Sequence, residues 1–581
     1  MLFIIYKMYT CHVESRDYCN WNYSPPDSNI ECPLVHKLFN GDKFTRNGEN
    51  GTIRVIESVV KRDKNIPGIL MLENNRTYGR TENNKRLYYK CRPNDPKIPC
   101  FLVAYDISVG FNKKYQNKYV TFSYHHWTDK HPIGVLSQTI GDVYDLAAFN
   151  EYQLFCKQLQ TSIKPAVSAT NLALRLRSIG SYQTEILECP KRFGNMVNLF
   201  DNQLNVFTID PSGCTDRDDA LSILSVSNGD ITEHLVTVHI ANVWVWIEAL
   251  GLGDVLGNRV STIYFPEMKR PMLPTTIGEE LCSLDEGKVR FAFSMDFTVI
   301  DHPKKGVYIQ YLESMRPAMY QSAIQVSKNF VYEEPVLLNN VDYKSLKTLT
   351  QKLDKTVKNS HDVVAFWMVQ MNRYAAKHMK SERFGIFRTV QSKNNPELDP
   401  ETEDETIPPI VRAWEQQLTG EYVLYSNKVQ NLCHNSLGYS EYVHITSPIR
   451  RMVDLLNQIA WVKYHIKEIV FSPGIDTFYN AQINSLPAIN EKMKKIRRIQ
   501  ADANILYTVV NDPYLLEKVY KGVILEKGEE SRTTVYIEEL KWITECKLPD
   551  TQLNVYDKIK CKIFVFDNEE QMRKKIRIQI I

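Results

Sequence analysis

Apolar positions along the chain fall into distinct regimes. Between about 41 and 170 they come in short runs, at 68–72, 86–90, 101–105 and 119–124, separated by Gly, Asn, Asp and Pro clusters. Short strands at that spacing predict small barrels of the OB type. From 140 to 190 the pattern turns helical and then irregular, and from 186 to 510 it reads as one long mixed α/β region without an internal repeat. Within it, 485–508 has the periodicity of a basic amphipathic helix. Strand-like runs return at 519–525, 533–537, 558–566 and 575–580, with Gly528 and Asp550 in turn regions. Residues 1–40 show little periodicity and a turn signal at Ser24-Pro25-Pro26. The pattern predicts four regions: an arm or degenerate first barrel over 1–60, an OB barrel over 61–170, a mixed α/β domain over 186–510 and a C-terminal OB barrel over 515–581.

Composition narrows the class. A chain of 581 residues is too long for one ordinary domain. With 43% hydrophobic and 24% charged residues it has a globular profile, and no apolar run reaches membrane-spanning length. The opening MLFIIYKM is short, broken by a lysine and followed by no small-residue cleavage site, so it is not read as a signal peptide. A cytoplasmic location is expected, with the nucleus as the alternative. The twelve cysteines contain no CxxC pair. Reduced thiols are the plain expectation and no zinc site is expected, although Cys11, Cys19 and Cys32 fall near one another. The net charge is only +3, so a nucleic-acid site must be a local patch or channel.

Candidate chemistry concentrates in one stretch, Phe207-Thr208-Ile209-Asp210-Pro211-Ser212-Gly213-Cys214-Thr215-Asp216-Arg217-Asp218-Asp219-Ala220-Leu221. Four aspartates fall in ten residues between two apolar runs, with Pro and Gly bending the chain. Carboxylates this close repel unless a cation sits among them, and magnesium or manganese prefers such hard oxygen ligands. Two such ions can serve one phosphodiester, one generating the nucleophile and the other stabilising the leaving oxygen. The other reading is a solvated acidic turn or a single calcium loop, although the spacing is not that of an EF-hand.

Two further groups bear on nucleic acid. Arg76, Tyr78, Arg80, Arg86, Tyr88, Tyr89 and Lys90 mix rings with cations, which suits stacking on single strands as well as it suits a barrel core. Lys494, Lys495, Arg497 and Arg498 form a charged helix face, ordinarily a solvated one.

The acidic stretch TIDPSGCTDRDDAL resembles the signature of the RNase II/RNase R (RNB) exoribonucleases, with a filling close to the eukaryotic exosome-associated branch. Further resemblances follow in family order: Val238 to Val243, Ser261 to Pro266, Arg270 to Pro274, Leu281 to Leu284, Ser314 to Tyr320, Gly385 to Arg388, and YSEYVHITSPIRRMVD from Tyr439 to Asp454. The region CRPNDPKIPCFLVAY through HPIGVLSQTIGD is similar to the family's second cold-shock domain, and the C-terminal barrel to its S1 domain. The resemblance implies cold-shock-like OB barrels and an S1-like barrel around the entrance to an RNB α/β domain. It also implies a magnesium-dependent hydrolytic 3′-to-5′ exoribonuclease that threads single-stranded RNA and releases nucleoside 5′-monophosphates, with manganese as the alternative metal. By matched position, Asp210, Asp216, Asp218 and Asp219 would be metal ligands, directly or through water. Arg450 would contact the scissile phosphate, with an ion pair to the acidic cluster as its structural alternative. Tyr264 and Tyr320 would stack near the last nucleotides, and Ser447 and Arg451 would contact RNA. An RNA-processing complex is the partner implied, with no membrane.

Three positions depart from the family pattern. The helix that usually carries a Glu-Glu pair reads Val364-Ala365-Phe366-Trp367-Met368, the HIADV aspartate is Asn242, and the His-Arg after the TSPIRR helix start is Asn457-Gln458. All lie outside the aspartate cluster. They motivate a second hypothesis, a catalytically inactive RNB-like RNA-binding or scaffolding protein. A third is a phosphodiesterase acting on DNA or another nucleotide.

Overall fold

The computed structural model describes residues 7–47, 51–73, 75–82, 85–106, 115–160, 164–177, 182–200, 204–253, 256, 259–310, 319–392, 414, 418–426, 431–466, 469, 471–528, 532–547, 553–568 and 573–581. The resemblance at 314–318 and the turn at Asp550 fall outside these residues. Packing divides the chain into two units, one of residues 1–160, 265–268 and 499–581, the other of 161–264 and 269–498.

Residues 8–57 carry a four-stranded sheet. β1 (Met8–Val13), β2 (Trp21–Ser24), β3 (Lys43–Arg46) and β4 (Ile53–Glu57) pair antiparallel in the order β2-β1-β3-β4. In β1, Tyr9, Cys11 and Val13 alternate inward. The expected boundary at residue 60 is not a break in packing: one apolar cluster runs from Tyr9 to Trp127, and Phe39 stacks on Phe101 and packs on Trp127. The weak periodicity of 1–40 reflects two short strands joined by loops that turn at Tyr18 and Lys37, both with positive φ.

Six strands follow: β5 (Ile66–Leu70), β6 (Thr77–Arg80), β7 (Leu87–Pro93), β8 (Phe101–Tyr105), β9 (Lys118–His126) and β10 (Ile133–Asp142). β5 pairs with both β7 and β9, which closes the ring β5-β7-β8-β10-β9 with a single parallel contact, β8 to β10. This closed five-stranded ring, from Ile66 to Asp142, is of the OB type. Gly68 is where β5 crosses its neighbours most closely, since a Cβ there would meet Phe122 and Cys91 at 2.9 Å.

The second unit is built on another closed barrel. Along the chain come β11 (Val197–Asn198), β12 (Val206–Asp210), β13 (Asp219–Asn228), β14 (Ile231–Ala241), β15 (Ile263–Tyr264), β16 (Lys269–Arg270), β17 (Val289–His302), β18 (Gly306–Ile309), β19 (Met319–Val331), β20 (Ile386–Ser392) and β21 (Leu418–Leu424). The ring runs β12-β13-β14-β17-β19 and returns to β12, antiparallel except where β19 lies parallel to β12. One face of its strands packs on helices: Phe297 meets Trp367 of the helix Ser360–Ser381, and Phe293 meets Trp461 of the helix Met452–His465. The other carries a buried polar chain, Ser222 to His239 Nε2 (3.1 Å), His239 Nδ1 to Ser294 (2.7 Å) and Ser294 to Ser322 (2.7 Å). The helix Ser360–Ser381 starts in a capping box of Asn359 and Asp362. The amphipathic helix expected at 485–508 spans Leu486–Asn511.

At the C-terminus β22 (Tyr520–Lys527), β23 (Arg532–Ile537), β24 (Trp542–Lys547), β25 (Lys558–Asn568) and β26 (Arg573–Ile580) form a sheet in the order β24-β23-β22-β25-β26 around Ile524, Val535, Ile537, Cys561 and Ile563. Four of these strands match the runs read from the sequence. β24 has no run of its own there, because its inward residues Trp542, Thr544 and Cys546 include a polar one and alternate with Ile543, Glu545 and Lys547. Among the described residues no helix is long and apolar enough to cross a membrane.

Candidate active site

The acidic loop joins two strands of the closed barrel. β12 ends on Asp210 and β13 begins on Asp219, and the chain between them turns at Pro211 and at Gly213, whose φ of 77° favours glycine. The loop is pinned by its backbone: Ala241 N–H donates to Asp218 O at 2.8 Å, and Leu284 N–H to Arg217 O at 3.1 Å. The four aspartates therefore gather at one place, but with different partners.

Two of them are saturated by protein. Asp218 is 2% exposed; its Oδ1 accepts from Ile449 N–H at 2.8 Å and its Oδ2 from Arg450 Nε–H at 2.7 Å. Burial raises its pKa to about 7, against the pull of Arg450. Asp216 accepts from Lys269 Nζ on Oδ1 and from the Tyr264 hydroxyl on Oδ2, each at 3.1 Å. Both donors come from the small ribbon of β15 and β16, and Lys269 also pairs with Glu279 at 2.6 Å.

The other two are less engaged, although Thr208 and Cys214 also bond the Asp210 side chain. Asp210 Oδ2 is buried and has no hydrogen-bond partner; Arg217 Nε stands 3.7 Å away, too far to donate. Arg217 instead donates to Asp285 at 3.2 Å. The carboxylate of Asp219 takes no hydrogen bond from the described residues. Burial raises its pKa to about 8, and the neighbouring Asp210 pushes the same way. Burial raises Asp210 as well.

Among the described residues no three carboxylates, imidazoles or thiols enclose an ion. The less engaged pair still fits magnesium or manganese, which commonly take one or two carboxylates and complete their shell with water and substrate phosphate. The sequence expectation is four ligands acting directly or through water, and the geometry leaves Asp210 and Asp219 the freer pair. The reason is that Asp216 and Asp218 already spend their oxygens on Lys269, Tyr264, Ile449 and Arg450.

Arg450 sits opposite. Its carbonyl accepts from Ser261 Oγ and Thr262 N–H, both at 2.9 Å, which ties the Ser261–Tyr264 segment to the TSPIRR turn. Its side chain is 44% exposed while Nε is held by Asp218, so the far edge of the guanidinium remains available to an anion. The sequence alternatives for Arg450 thus coexist: the ion pair is real, and it orients the fork.

Other expected site residues fall elsewhere. Ser447 is 2% exposed and accepts from Arg451 Nη2 at 3.1 Å. Arg451 also donates to the buried Asp454 at 2.9 Å. These two residues shape the turn that presents Arg450. Tyr320 belongs to a separate network on the β17–β19 pair, its hydroxyl donating to Asp296 at 3.1 Å beside Thr237. Tyr264 keeps its ring 39% exposed while its hydroxyl is on Asp216.

Tyr332 is a site residue that sequence reasoning missed. It follows β19, its N–H donates to Asp210 O at 3.1 Å, and its phenol pKa is raised first by burial and then by Asp219 and Asp210. Its only sequence signal is a position one residue beyond a strand that happens to pair with Asp210.

The family model described as RNB domain matches residues 200–336, the stretch that holds the acidic loop, Tyr264, Arg217 and Tyr332. Ribonuclease R of Chlamydia pneumoniae is 26% identical over 308 residues, covering 43% of this chain and 45% of that protein. The human protein named Exosome complex exonuclease RRP44 is 23% identical over 473 residues, covering 65% of this chain and 48% of its own length. Residues 200–336 thus match the RNB domain, and the chain is similar to ribonucleases of that family. It spans about half the length of these two relatives. Among solved structures, Mycoplasma genitalium RNase R in complex with ribose methylated single-stranded RNA aligns with a TM-score of 0.66 at 15% identity, covering 99% of this chain and 100% of that one. Yeast Ssd1, described as a pseudonuclease, aligns with a TM-score of 0.52 at 14% identity, covering 93% and 78%. The fold is thus that of RNase R, a mixed α/β domain with OB-like barrels.

The departures from the RNB pattern are buried amides with defined partners. Asn242 donates to Gln321 at 2.9 Å and caps the helix Val243–Ala249. Asn457 brackets Ile386, accepting its N–H at 2.8 Å and donating to its carbonyl at 2.9 Å, and donates to His444 O at 2.9 Å. Gln458 donates to Ala241 O at 2.9 Å. Neutral groups here spare the core a buried charge. Ala365, at the position of the missing carboxylates, is exposed on its helix.

Proposed function

We propose that the chain is a hydrolytic 3′-to-5′ exoribonuclease that degrades single-stranded RNA to nucleoside 5′-monophosphates at a magnesium-dependent site, with manganese as the alternative ion. The observation that carries this reading is the arrangement of Arg450, fixed by Asp218 at 2.7 Å, beside the freer pair Asp210 and Asp219. RNB relatives named as exonucleases and ribonucleases support RNA degradation as the class of activity.

In this reading Asp210 and Asp219 would hold divalent ions directly, with Asp216 and Asp218 acting through water. Such ions supply a hydroxide-like nucleophile and stabilise the leaving oxygen. Arg450 contributes the protein's own charge stabilisation: with Nε bonded to Asp218, its outer nitrogens offer a two-pronged donor to the scissile phosphate. Tyr264 presents a ring on which a base of any identity can stack, and its hydroxyl anchor on Asp216 fixes the ring relative to the aspartates. Tyr320 is proposed to reach RNA through its ring edge, with its hydroxyl reserved by Asp296.

The same reading takes a cytoplasmic or nuclear location and association with an RNA-processing complex, the human relative being named as an exosome component. The test is digestion of end-labelled single-stranded RNA with magnesium, with a chelator, and by Asp219→Asn. Mononucleotide products that vanish in the last two arms are expected. Intact RNA with the wild-type chain would leave the inactive alternative suggested by the pseudonuclease Ssd1, and digestion undiminished by Asp219→Asn would overturn the role given to the aspartate loop. A DNA strand of the same sequence, digested in parallel, separates a ribonuclease from a general phosphodiesterase.

A further inference from the structure

Arg388 on β20 carries a guanidinium that no described residue neutralises. Its backbone N–H donates to Tyr442 O at 2.8 Å, but its side chain has neither an ion pair nor a hydrogen bond among the described residues. It lies over the ring of Tyr422, 5.1 Å from the centroid, and across Gly420 on the paired strand β21. A Cβ on Gly420 would sit 2.2 Å from Nη2, so the absence of a side chain at 420 is what lets the guanidinium lie flat. Burial lowers the Arg388 pKa, with Arg497 and Arg451 pushing the same way against Tyr422 and Glu421. A half-buried cation beside other cations is unfavourable unless an anion joins it.

Arg497 is brought to the same place by the helix Leu486–Asn511. Asn490 of that helix brackets the Tyr422 peptide, accepting its N–H at 2.8 Å and donating to its carbonyl at 2.9 Å. One turn on, Lys494 pairs with Glu421 at 3.4 Å. Arg497 follows on the same helix face, exposed and without an ion pair among the described residues. On its other side Tyr422 bonds His444 Nδ1 at 2.8 Å, and Arg451 approaches the same nitrogen at 3.4 Å, so the platform is continuous with the turn that presents Arg450. Of the acids on the neighbouring elements, Asp454 takes Arg451 and the Ser447 N–H on one oxygen, and Glu421 pairs with Lys494.

We propose that Arg388 and Arg497 form a phosphate-binding subsite for the backbone of single-stranded RNA, with Gly420 and Tyr422 as the seat that holds Arg388 flat. A planar guanidinium with its nitrogens directed outward matches a phosphodiester, and two such groups on separate elements grip a flexible chain without reading its bases. The subsite rests on the reading of the chain as an enzyme of single-stranded RNA and adds to it a named point of grip outside the aspartate cluster.

The test is binding of fluorescein-labelled single-stranded RNA by the full chain in EDTA, across a salt series, for the wild type, Arg388→Gln, Arg497→Gln, Arg388→Lys and Gly420→Ala. Each Gln variant is expected to raise Kd about 5- to 10-fold at low salt and to lower the slope of log affinity against log salt by roughly 0.7. Arg388→Lys keeps most of the slope. Gly420→Ala weakens binding with the charge intact, because the displaced group is the end of a flexible side chain. Unchanged Kd and slope in both Gln variants overturn the proposal. So does a result in which inorganic phosphate raises the melting temperature of the wild type but not of Arg388→Gln while RNA affinity is the same in both, since the site would then take free phosphate. Binding in EDTA is independent of cleavage. A chain that binds RNA through these arginines but cuts none sinks the nuclease reading and leaves the subsite standing.

Discussion

Asp218 and Arg450 are joined at 2.7 Å, and the second oxygen of Asp218 takes the N–H of Ile449, 231 residues away in sequence. One buried carboxylate therefore fixes both the backbone and the side chain of the turn that presents Arg450. Asp218→Asn keeps the shape but turns one acceptor into a donor, facing either Ile449 N–H or Arg450 Nε–H. The expected result is a loss of about 10²- to 10³-fold in kcat, the range seen when a preorganised charge-stabilising donor is removed. Far-ultraviolet circular dichroism should remain that of the folded chain. Arg450→Lys is expected to fall in the same range, because an ammonium cannot bond Asp218 and still offer a fork. Wild-type kcat in either variant would refute the assignment of Arg450.

Tyr332 stands where β19 runs out beside Asp210, and its phenol is within electrostatic reach of Asp210 and Asp219 alike. Its hydroxyl donates to no described residue. Removing it with Tyr332→Phe is expected to lower kcat about tenfold, the effect of one hydrogen bond to a charged group. Tyr332→Ala, which also removes the ring, should lower it further. Single-turnover kinetics at saturating RNA check both. Equal rates for wild type and Tyr332→Phe would show that the phenol merely fills space.

These two relationships mark what could be read from the sequence. The acidic loop was legible because its chemistry is local: four carboxylates, a proline and a glycine between two strands. The OB barrel was legible because its inward residues alternate, as in the buried Tyr89, Cys91 and Pro93 of β7. The division of labour among the aspartates was not, since it is decided by Ile449, Arg450, Lys269 and Tyr264, brought in by tertiary packing. Tyr332 was hidden for the same reason: its place depends on the parallel register of Val331 with Asp210. The bonds of Ser447 and Arg451 to each other and to Asp454 were not legible either, since a motif reports that polar residues recur and not what they face. The sheet at residues 8–57 escaped notice because its strands are four to six residues long and bury their apolar side against the next barrel.

Asn457 replaces a family histidine and makes three buried hydrogen bonds, two to Ile386 and one to His444. Asn457→Ala leaves the Ile386 N–H and carbonyl without partners at the root of β20. Urea denaturation is expected to show a loss of about 2–4 kcal/mol, the sum expected for orphaned buried polar groups. Asn457→His should be comparably destabilising, since an imidazole cannot reproduce both the donor and the acceptor facing one peptide. A change below about 0.5 kcal/mol in both, the scatter of surface substitutions, would show that water replaces the amide.

His239 lies at the centre of the buried Ser222–His239–Ser294–Ser322 chain, and burial lowers its pKa to about 3. An unfolded histidine titrates near 6.5. Between these values the unfolded chain binds a proton that the folded chain refuses, so stability falls as pH drops. Above pH ~6.5 both states are neutral and the contribution is complete; below about 3 both are charged and it is gone. Within the window the slope attributable to this residue is about 1.4 kcal/mol per pH unit, or roughly 3 kcal/mol by pH ~4. Other groups titrate in the same range, so the informative quantity is the difference between wild type and His239→Gln. Their urea midpoints should converge as pH falls from 7 to 4, because the variant has lost hydrogen bonds at every pH but carries no titrating ring. Parallel curves for the two proteins across that range would mean that the folded barrel accepts the proton, and that the ring is reached by water despite its burial.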